Sequence, residues 1–327
     1  MVFLEIAGIK IAFEFAEPGF KALAARRYSN FTSHGKPRYV FSVTGMRGSR
    51  TPFKPVVSNL SGSASNSRHS QLRIRQIIAN KTNVEKNSRH SLSLRRGDFD
   101  CVLNLKTGLG VLKAAPRVQT FDSFLRTFCS RVLLREGGML LHSAGIVKNG
   151  KAYIFLGKSG AGKSTLAKLA ASVLHPFRLR QTARRMRQDV WRKTTGGQAS
   201  FIPHPSPMAA QPPSCSVISD EINLLRFDKG RFRVYGSPFW GEMRNEGRPG
   251  SWPLGGVFLL KKAKANRISP CSKPEALKLL LRCLVNFSRG PEDAGVIMEN
   301  SARLLAGAGF LKLEFTKKNS GFLNLDW

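Results

Sequence analysis

Acidic side chains are scarce in this sequence: 20 Asp and Glu stand against 53 Lys and Arg in 327 residues, a formal net charge of +33. Such a surplus suits a phosphate polymer or an acidic membrane, because clustered cations release counterions on binding. Two segments, about 28–96 and 175–214, carry much of it. Neither alternates aromatic with basic residues as a single-strand binding platform does. Nucleic acid is therefore a partner that the charge allows but the pattern does not favour. Cysteine is also sparse, with five scattered residues (Cys101, Cys129, Cys215, Cys271, Cys283) and no C-x-x-C pair. That excludes a disulfide framework and a zinc site, and the thiols are expected to be free and buried. No run of eighteen apolar residues occurs, so no membrane-spanning helix and no membrane partner are expected. The opening "MVFLEIAGIKIAFEF" is apolar, but it has neither a basic start nor a small-residue cleavage site. It reads as strand rather than as a leader, and the expected compartment is the cytoplasm.

Hydrophobic residues make up 42% of the chain, enough for a substantial core. Residues 1–16 alternate as one or two strands. From Tyr28 to about Arg96 the text is polar and broken, with strand-like pieces such as "RYVFSV". Residues 99–113 read as a hairpin turning at Thr107-Gly108. In "TFDSFLRTFCSRVLLREGG" the residues Phe121, Phe124, Leu125, Phe128, Val132 and Leu133 recur at helical spacing. The pattern predicts a helix capped at Thr120 and closed at Gly137-Gly138, packing its stripe into a core. Next come a buried strand over 139–147, an Asn149-Gly150 turn and a strand over 152–156. Beyond 215, the text reads as strand, two acids, strand, a turn at 228–230 and a further strand, then a strand over 254–263. A helix over 272–287 opens with the capping box Ser272…Glu275. A last helix near 292–306 and a strand over 310–315 finish the chain.

These elements predict an α/β fold: a mixed sheet with flanking helices over 119–327, preceded by a β-rich region with long loops over 1–118. The block at about 175–214 begins Arg-rich and ends Pro-rich, and it is long for a connection inside such a domain. A flexible insertion, an interaction tail and a frame-shifted stretch all fit its composition.

The chemistry concentrates in "GKSGAGKST", Gly157, Lys158, Ser159, Gly160, Ala161, Gly162, Lys163, Ser164 and Thr165. Strand, Gly-rich loop and helix follow in the order that a phosphate-binding loop requires. The glycines let successive backbone N–H groups face one concavity, a geometry that side chains forbid. Lys163 supplies a point charge to the β- and γ-phosphates, Ser164 a hydroxyl to Mg²⁺, and the helix terminus positive potential. Asp220 and Glu221 close a strand that begins some fifty residues later. One can reach the metal while the other serves as base or orients water, and spacing alone does not say which. A solvated acidic pair is the bland alternative. His142, in the strand before the loop's own strand, is either a satisfied core residue or a group facing the phosphates. Glu242, in "GSPFWGE", is a further candidate for a metal or substrate contact, or else a residue that shapes the site.

"LLHSAGIV", "YIFLGKSGAGKSTLAKL", "VISDE" and "YGSPFWGE" occur in that order, and together they resemble the HPr-kinase-related P-loop proteins, which share a phosphoenolpyruvate-carboxykinase-like nucleotide fold. The resemblance covers about 135–260 apart from the insertion and continues more weakly to the C-terminus. It implies that 157–165 bind ATP, and that Ser164 and one of Asp220 or Glu221 hold Mg²⁺. The other acid would activate an acceptor hydroxyl, with His142 near the transferred phosphate. The bifunctional HPr kinases carry two aspartates where this chain has Asp-Glu, and their L-E-I-R-G-type stretch is missing. The implied acceptor is therefore a hydroxyl on an unidentified protein or small molecule. A non-catalytic ATP-binding accessory protein and a nucleic-acid-stimulated ATPase are the alternatives. A homo-oligomer and a monomer both fit.

Overall fold

A computed structural model describes residues 1–46, 83–88, 90–174, 215–243, 247–287 and 291–326, with backbone alone for 83–88 and for the residues flanking the 175–214 block. The predicted insertion and the whole stretch between Met46 and Asn83 lie outside the described residues. Within them the chain is mixed α/β, with two mixed sheets and five α-helices.

The first sheet joins β1 (Val2–Ile6), β2 (Ile9–Phe15), β3 (Tyr39–Gly45), β4 (Asn83–Ser88), β5 (Ser91–Arg96), β6 (Phe99–Asn104) and β7 (Leu109–Ala114) in the order β1-β2-β3-β7-β6-β5-β4. The β6–β7 hairpin turns at the predicted place: Gly108 has φ +75°, and Asn104 Oδ1 accepts the Lys106 and Thr107 N–H groups. Two helices pack on this sheet, α1 (Pro18–Arg27) and α2 (Val118–Arg135). The predicted stripe of α2 is fully buried. Phe124 sits at its centre, with its ring against those of Phe13, Phe41, Phe99, Phe121 and Phe128 at centroid separations of 5.4 to 6.3 Å. Leu140, Ile222 and Leu224 of the second sheet belong to the same core.

Thr120 is not the cap of α2. Arg117 occupies that position without a side-chain bond, and the Thr120 hydroxyl donates instead to Asp98 Oδ2 at 2.7 Å. The predicted closure does form. Gly137 takes φ +73°, and the Gly138 N–H donates back to Leu133 O, the left-handed ending that glycine permits.

The second sheet is built from β8 (Met139–Lys148), β9 (Lys151–Leu156), β10 (Cys215–Ser219), β11 (Ile222–Asp228), β12 (Arg231–Tyr235), β13 (Ser251–Lys262), β14 (Arg267–Pro270) and β15 (Phe310–Phe315). Asn149 and Gly150 both have positive φ, the tight turn expected between β8 and β9. β8 pairs with β11, β11 with β12, β12 with β13, β13 with β9, and β9 with β8, so the pairings close into a ring. β15 extends this arrangement parallel to β13. Side-chain alternation then gives two buried faces. Ile146, Phe155, Phe258, Leu260 and Phe315 pack under α3 (Lys163–Leu174) through Leu166, Ala167 and Ala170. Leu141, Ile154, Leu156 and Val257 pack against Leu280 and Cys283 of α4 (Lys273–Cys283) and Leu304 of α5 (Pro291–Gly307).

α4 departs from expectation at both ends. Ser272 is the N-cap residue but makes no side-chain capping bond, and Glu275 reaches Lys312 on β15 at 2.6 Å instead of turning back. The helix stops at Cys283 because the next residues join the sheet: Leu284 bridges to Leu141, and Val285 N–H donates to Leu140 O. Of the cysteines, Cys101, Cys129 and Cys283 are free and buried as expected, whereas Cys271 is partly exposed. No helix among the described residues is long and apolar enough to cross a membrane.

Candidate functional site

The phosphate loop leaves the end of β9 and enters α3, as its sequence context requires. Gly160 and Gly162 take φ +75° and +104°. At Gly162 the demand is doubled, because a Cβ there would lie 2.7 Å from the Phe315 ring. Lys158, Ser159 and Gly160 are exposed, while Ser164 and Thr165 are half-buried at the start of α3. Lys163 is buried, and its Nζ donates to Gly157 O at 2.8 Å. Burial holds its ammonium below its ordinary range. The Cys283 thiol donates to the same carbonyl at 3.7 Å, so α4 props the loop from beneath.

The two acids lie at a break in an edge. β10 and β11 run end to end along one side of β8, with Ser219 opposite Gly145 and Ile222 opposite His142. Asp220 and Glu221 fill the interruption. Ser219 Oγ accepts the Glu221 and Ile222 N–H groups, each at 3.1 Å, and Ser143 N–H donates to Glu221 O at 2.9 Å. Behind the break, Asn223 Nδ2 donates to Ser143 O and Ser143 Oγ. These bonds satisfy backbone that the bulge takes out of the ladder.

This geometry separates the acids. Glu221 is taken up by Arg126 of α2 in a two-pronged pair, Nη1 to Oε1 at 3.0 Å and Nη2 to Oε2 at 3.2 Å. Arg126 Nη2 also donates to Trp240 O at 3.0 Å. Asp220 is buried, and Met243 N–H donates to its Oδ2 at 3.1 Å. His142 is exposed rather than a satisfied core residue. Its imidazole titrates below its ordinary value, first through partial burial and then through the positive charges of Lys163 and Arg126, with Asp220 acting in the opposite sense. At neutral pH it is therefore uncharged. His142, Lys163, Asp220 and Arg126 thus share one electrostatic neighbourhood.

Glu242 stands apart, exposed and 3.3 Å from Lys168 on α3, a surface pair of little energetic weight. Among the described residues no group of three His, Cys, Asp or Glu converges as a metal cage. Of the expected metal ligands Ser164, Asp220, Glu221 and Glu242, the last two are already engaged, by Arg126 and Lys168. A hydroxyl and one carboxylate completed by phosphate oxygens is the arrangement that Mg²⁺ accepts in nucleotide sites, and Ser164 with Asp220 fits that chemistry.

The loop over 236–242 is clamped from the first sheet's helices. The Arg27 guanidinium lies 3.8 Å over the Trp240 ring, and its Nη2 donates to Pro238 O at 2.6 Å and to Asp122 Oδ2 at 3.3 Å. The Tyr28 hydroxyl donates to the other Asp122 oxygen. Arg27, Asp122 and Arg126 were not among the residues that motifs single out, and α2 reads from sequence as a purely structural helix. At Gly241 the backbone touches the acid directly, since a Cβ there would lie 2.2 Å from Asp220 Oδ1 and 2.6 Å from its Cγ. Gly241→Ala should therefore push the Asp220 carboxylate aside. The expected loss is about a hundredfold in any reaction that uses it, the scale of an ångström-sized displacement at a reacting centre. The unliganded melting temperature should change little. Steady-state rates beside a melting curve check this, and an unaltered rate would remove Asp220 from the site.

Comparison with protein-family models and with curated proteins gives no match for this chain.

Proposed function

We propose that this protein is an ATP- and Mg²⁺-dependent phosphotransferase of the cytoplasm, with a phosphoenolpyruvate-carboxykinase-like nucleotide fold resembling that of HPr-kinase-related proteins. The γ-phosphate goes to a hydroxyl on a protein or small molecule. The observation that carries the reading is the grouping of a strand–loop–helix phosphate cradle with a buried Lys163, a buried Asp220 and a neutral His142. In this reading the loop's amides and Lys163 hold the phosphate chain, while Ser164 and Asp220 would hold Mg²⁺. Mg²⁺ when bound neutralises charge on the phosphates. His142, uncharged and exposed, can accept the acceptor hydroxyl's proton at a ring nitrogen. Glu221 takes no direct part. Through Arg126 it fixes the turn that places Gly241 against Asp220.

A second reading, a nucleotide-binding accessory protein without turnover, is favoured by one observation: both Glu221 oxygens are already bound to Arg126, which leaves Asp220 as the acid of the pair with no cationic partner among the described residues. Transfer of label from γ-labelled ATP into a cell lysate separates the two. The kinase reading expects a labelled acceptor with the wild type and none with Asp220→Asn. ATP binding without transfer, equal in both proteins, would support the accessory role instead.

A further inference from the structure

Strands β9, β13 and β15 run parallel and adjacent, so their carboxyl ends share one edge of the second sheet. The phosphate loop leaves this edge from β9, and parallel α/β sheets bind their ligands there. The exits of the other two strands carry Lys262 and, two residues beyond Phe315, Lys317. They are held side by side: Ala263 N–H donates to Phe315 O, and Thr316 N–H donates to Asn266 Oδ1 at 2.9 Å. Lys262 follows Phe258 and Leu260 on the face that α3 covers, the same side as the loop. Lys317 meets the loop itself, with its Cε 3.8 Å from where a Cβ of Gly162 would stand. Gly162 immediately precedes Lys163.

The two lysines are exposed, and the charge of Lys317 acts on the Lys262 amine at close range. Among the described residues neither has a carboxylate within ion-pair distance. The acid in the neighbouring register, Glu314, lies on the opposite face and is taken up by Lys261 at 2.8 Å and Arg267 at 3.4 Å. Two like charges side by side oppose each other unless an anion lies between them. The contact with Lys317 is the chief cause that lowers the Lys262 ammonium below its ordinary range.

We propose that Lys262 and Lys317 form a phosphoryl-binding subsite contiguous with the phosphate loop, holding oxygens beyond those that the loop amides and Lys163 can reach. The inference rests on the nucleotide reading above and adds to it a cationic wall on the side of the loop opposite Asp220. The phosphate it takes belongs either to the nucleotide's own chain or to a second, phosphate-bearing substrate.

Titration calorimetry at fixed salt distinguishes these sources, using wild type, Lys262→Gln/Lys317→Gln and Lys262→Arg/Lys317→Arg. If the phosphate is the nucleotide's, the glutamine pair should bind Mg-ATP roughly 10- to 100-fold more weakly, the scale of charge-assisted contacts. If it is a second substrate's, Mg-ATP affinity stays the same. In that case, inorganic phosphate titrated into the Mg-ADP-saturated protein should bind the wild type but not the glutamine pair. The arginine pair should restore whichever binding is lost. Both side chains are exposed, so unliganded melting should not move. Equal Mg-ATP affinity with no difference in phosphate uptake would overturn the subsite alone. A wild type that binds no Mg-ATP would overturn the nucleotide reading and the subsite with it.

Discussion

Lys163→Ala is expected to lose all of the thermal stabilisation that Mg-ATP confers on the wild type. A ligand that binds only the folded state stabilises it by about 2.7 kcal/mol at a hundred times its dissociation constant. For a chain of this size that is a rise of roughly 3–5 °C. Lys163 is buried at the head of α3 with its ammonium on Gly157 O, so its charge already stands where, in the proposed reading, the phosphates enter. Burial weakens its hold on a proton and so makes the charged form costly there; phosphate oxygens reverse that cost. Removing the side chain also vacates buried volume, so Lys163→Met serves as the companion that keeps the bulk and deletes the charge. Lys163→Met should melt normally without ligand, and neither variant should respond to Mg-ATP. A full melting shift in Lys163→Met would sink the assignment of the loop as the nucleotide site.

Phe124→Ala should produce the largest loss of stability of any single change considered. The side chain is fully buried, and it touches five other rings drawn from β2, β3, β6 and α2 itself. Deleting a buried phenyl ring costs about 3–5 kcal/mol through lost burial and the cavity left behind. Edge-to-face ring pairs such as Phe41–Phe124, tilted by 84°, add to that. The midpoint should fall by roughly 4–8 °C, measured by calorimetry or circular dichroism. Because α2 also carries Arg126 and Asp122, nucleotide-dependent behaviour should weaken along with the fold. A change under about 1 kcal/mol would mean that this cluster is not the keystone its packing indicates.

Much of the fold is legible in local pattern because the reasons for it are local. Asn149-Gly150 can turn only one way between two apolar strands, and Gly137 ends α2 by adopting a backbone that other residues resist. The α2 stripe is readable because helical spacing puts six large apolar residues on one side. What misleads is a local signal with a distant competitor. Thr120 resembles a cap, but its hydroxyl finds Asp98. Glu275 completes a capping box on paper, but a lysine on β15 offers it an opposite charge at 2.6 Å. The 272–287 helix reads four residues too long because Leu284 and Val285 find an open strand edge at Leu140 and Leu141.

The same division runs through the candidate site. Gly157 to Thr165 announces itself, since only glycine-rich spacing lets backbone amides converge on a phosphate. The acids were visible as a pair, but their difference was not. Asp122 and Arg126 stand four apart on one helix, the spacing of a surface ion pair. In the fold they part company, Asp122 to Arg27 and Tyr28, Arg126 to Glu221 and Trp240. The sequence by itself determined the glycine-rich loop, its strand and helix, and the stripe that buries α2, because each depends on residues within a few positions of one another. Only the tertiary structure decided that Glu221 is held by an arginine, that Asp220 is buried against Gly241, and that Lys317 lies against the loop. Those choices depend on which residues, separated by up to 155 positions along the chain (Gly162 to Lys317), the strand pairing brings within a few ångströms.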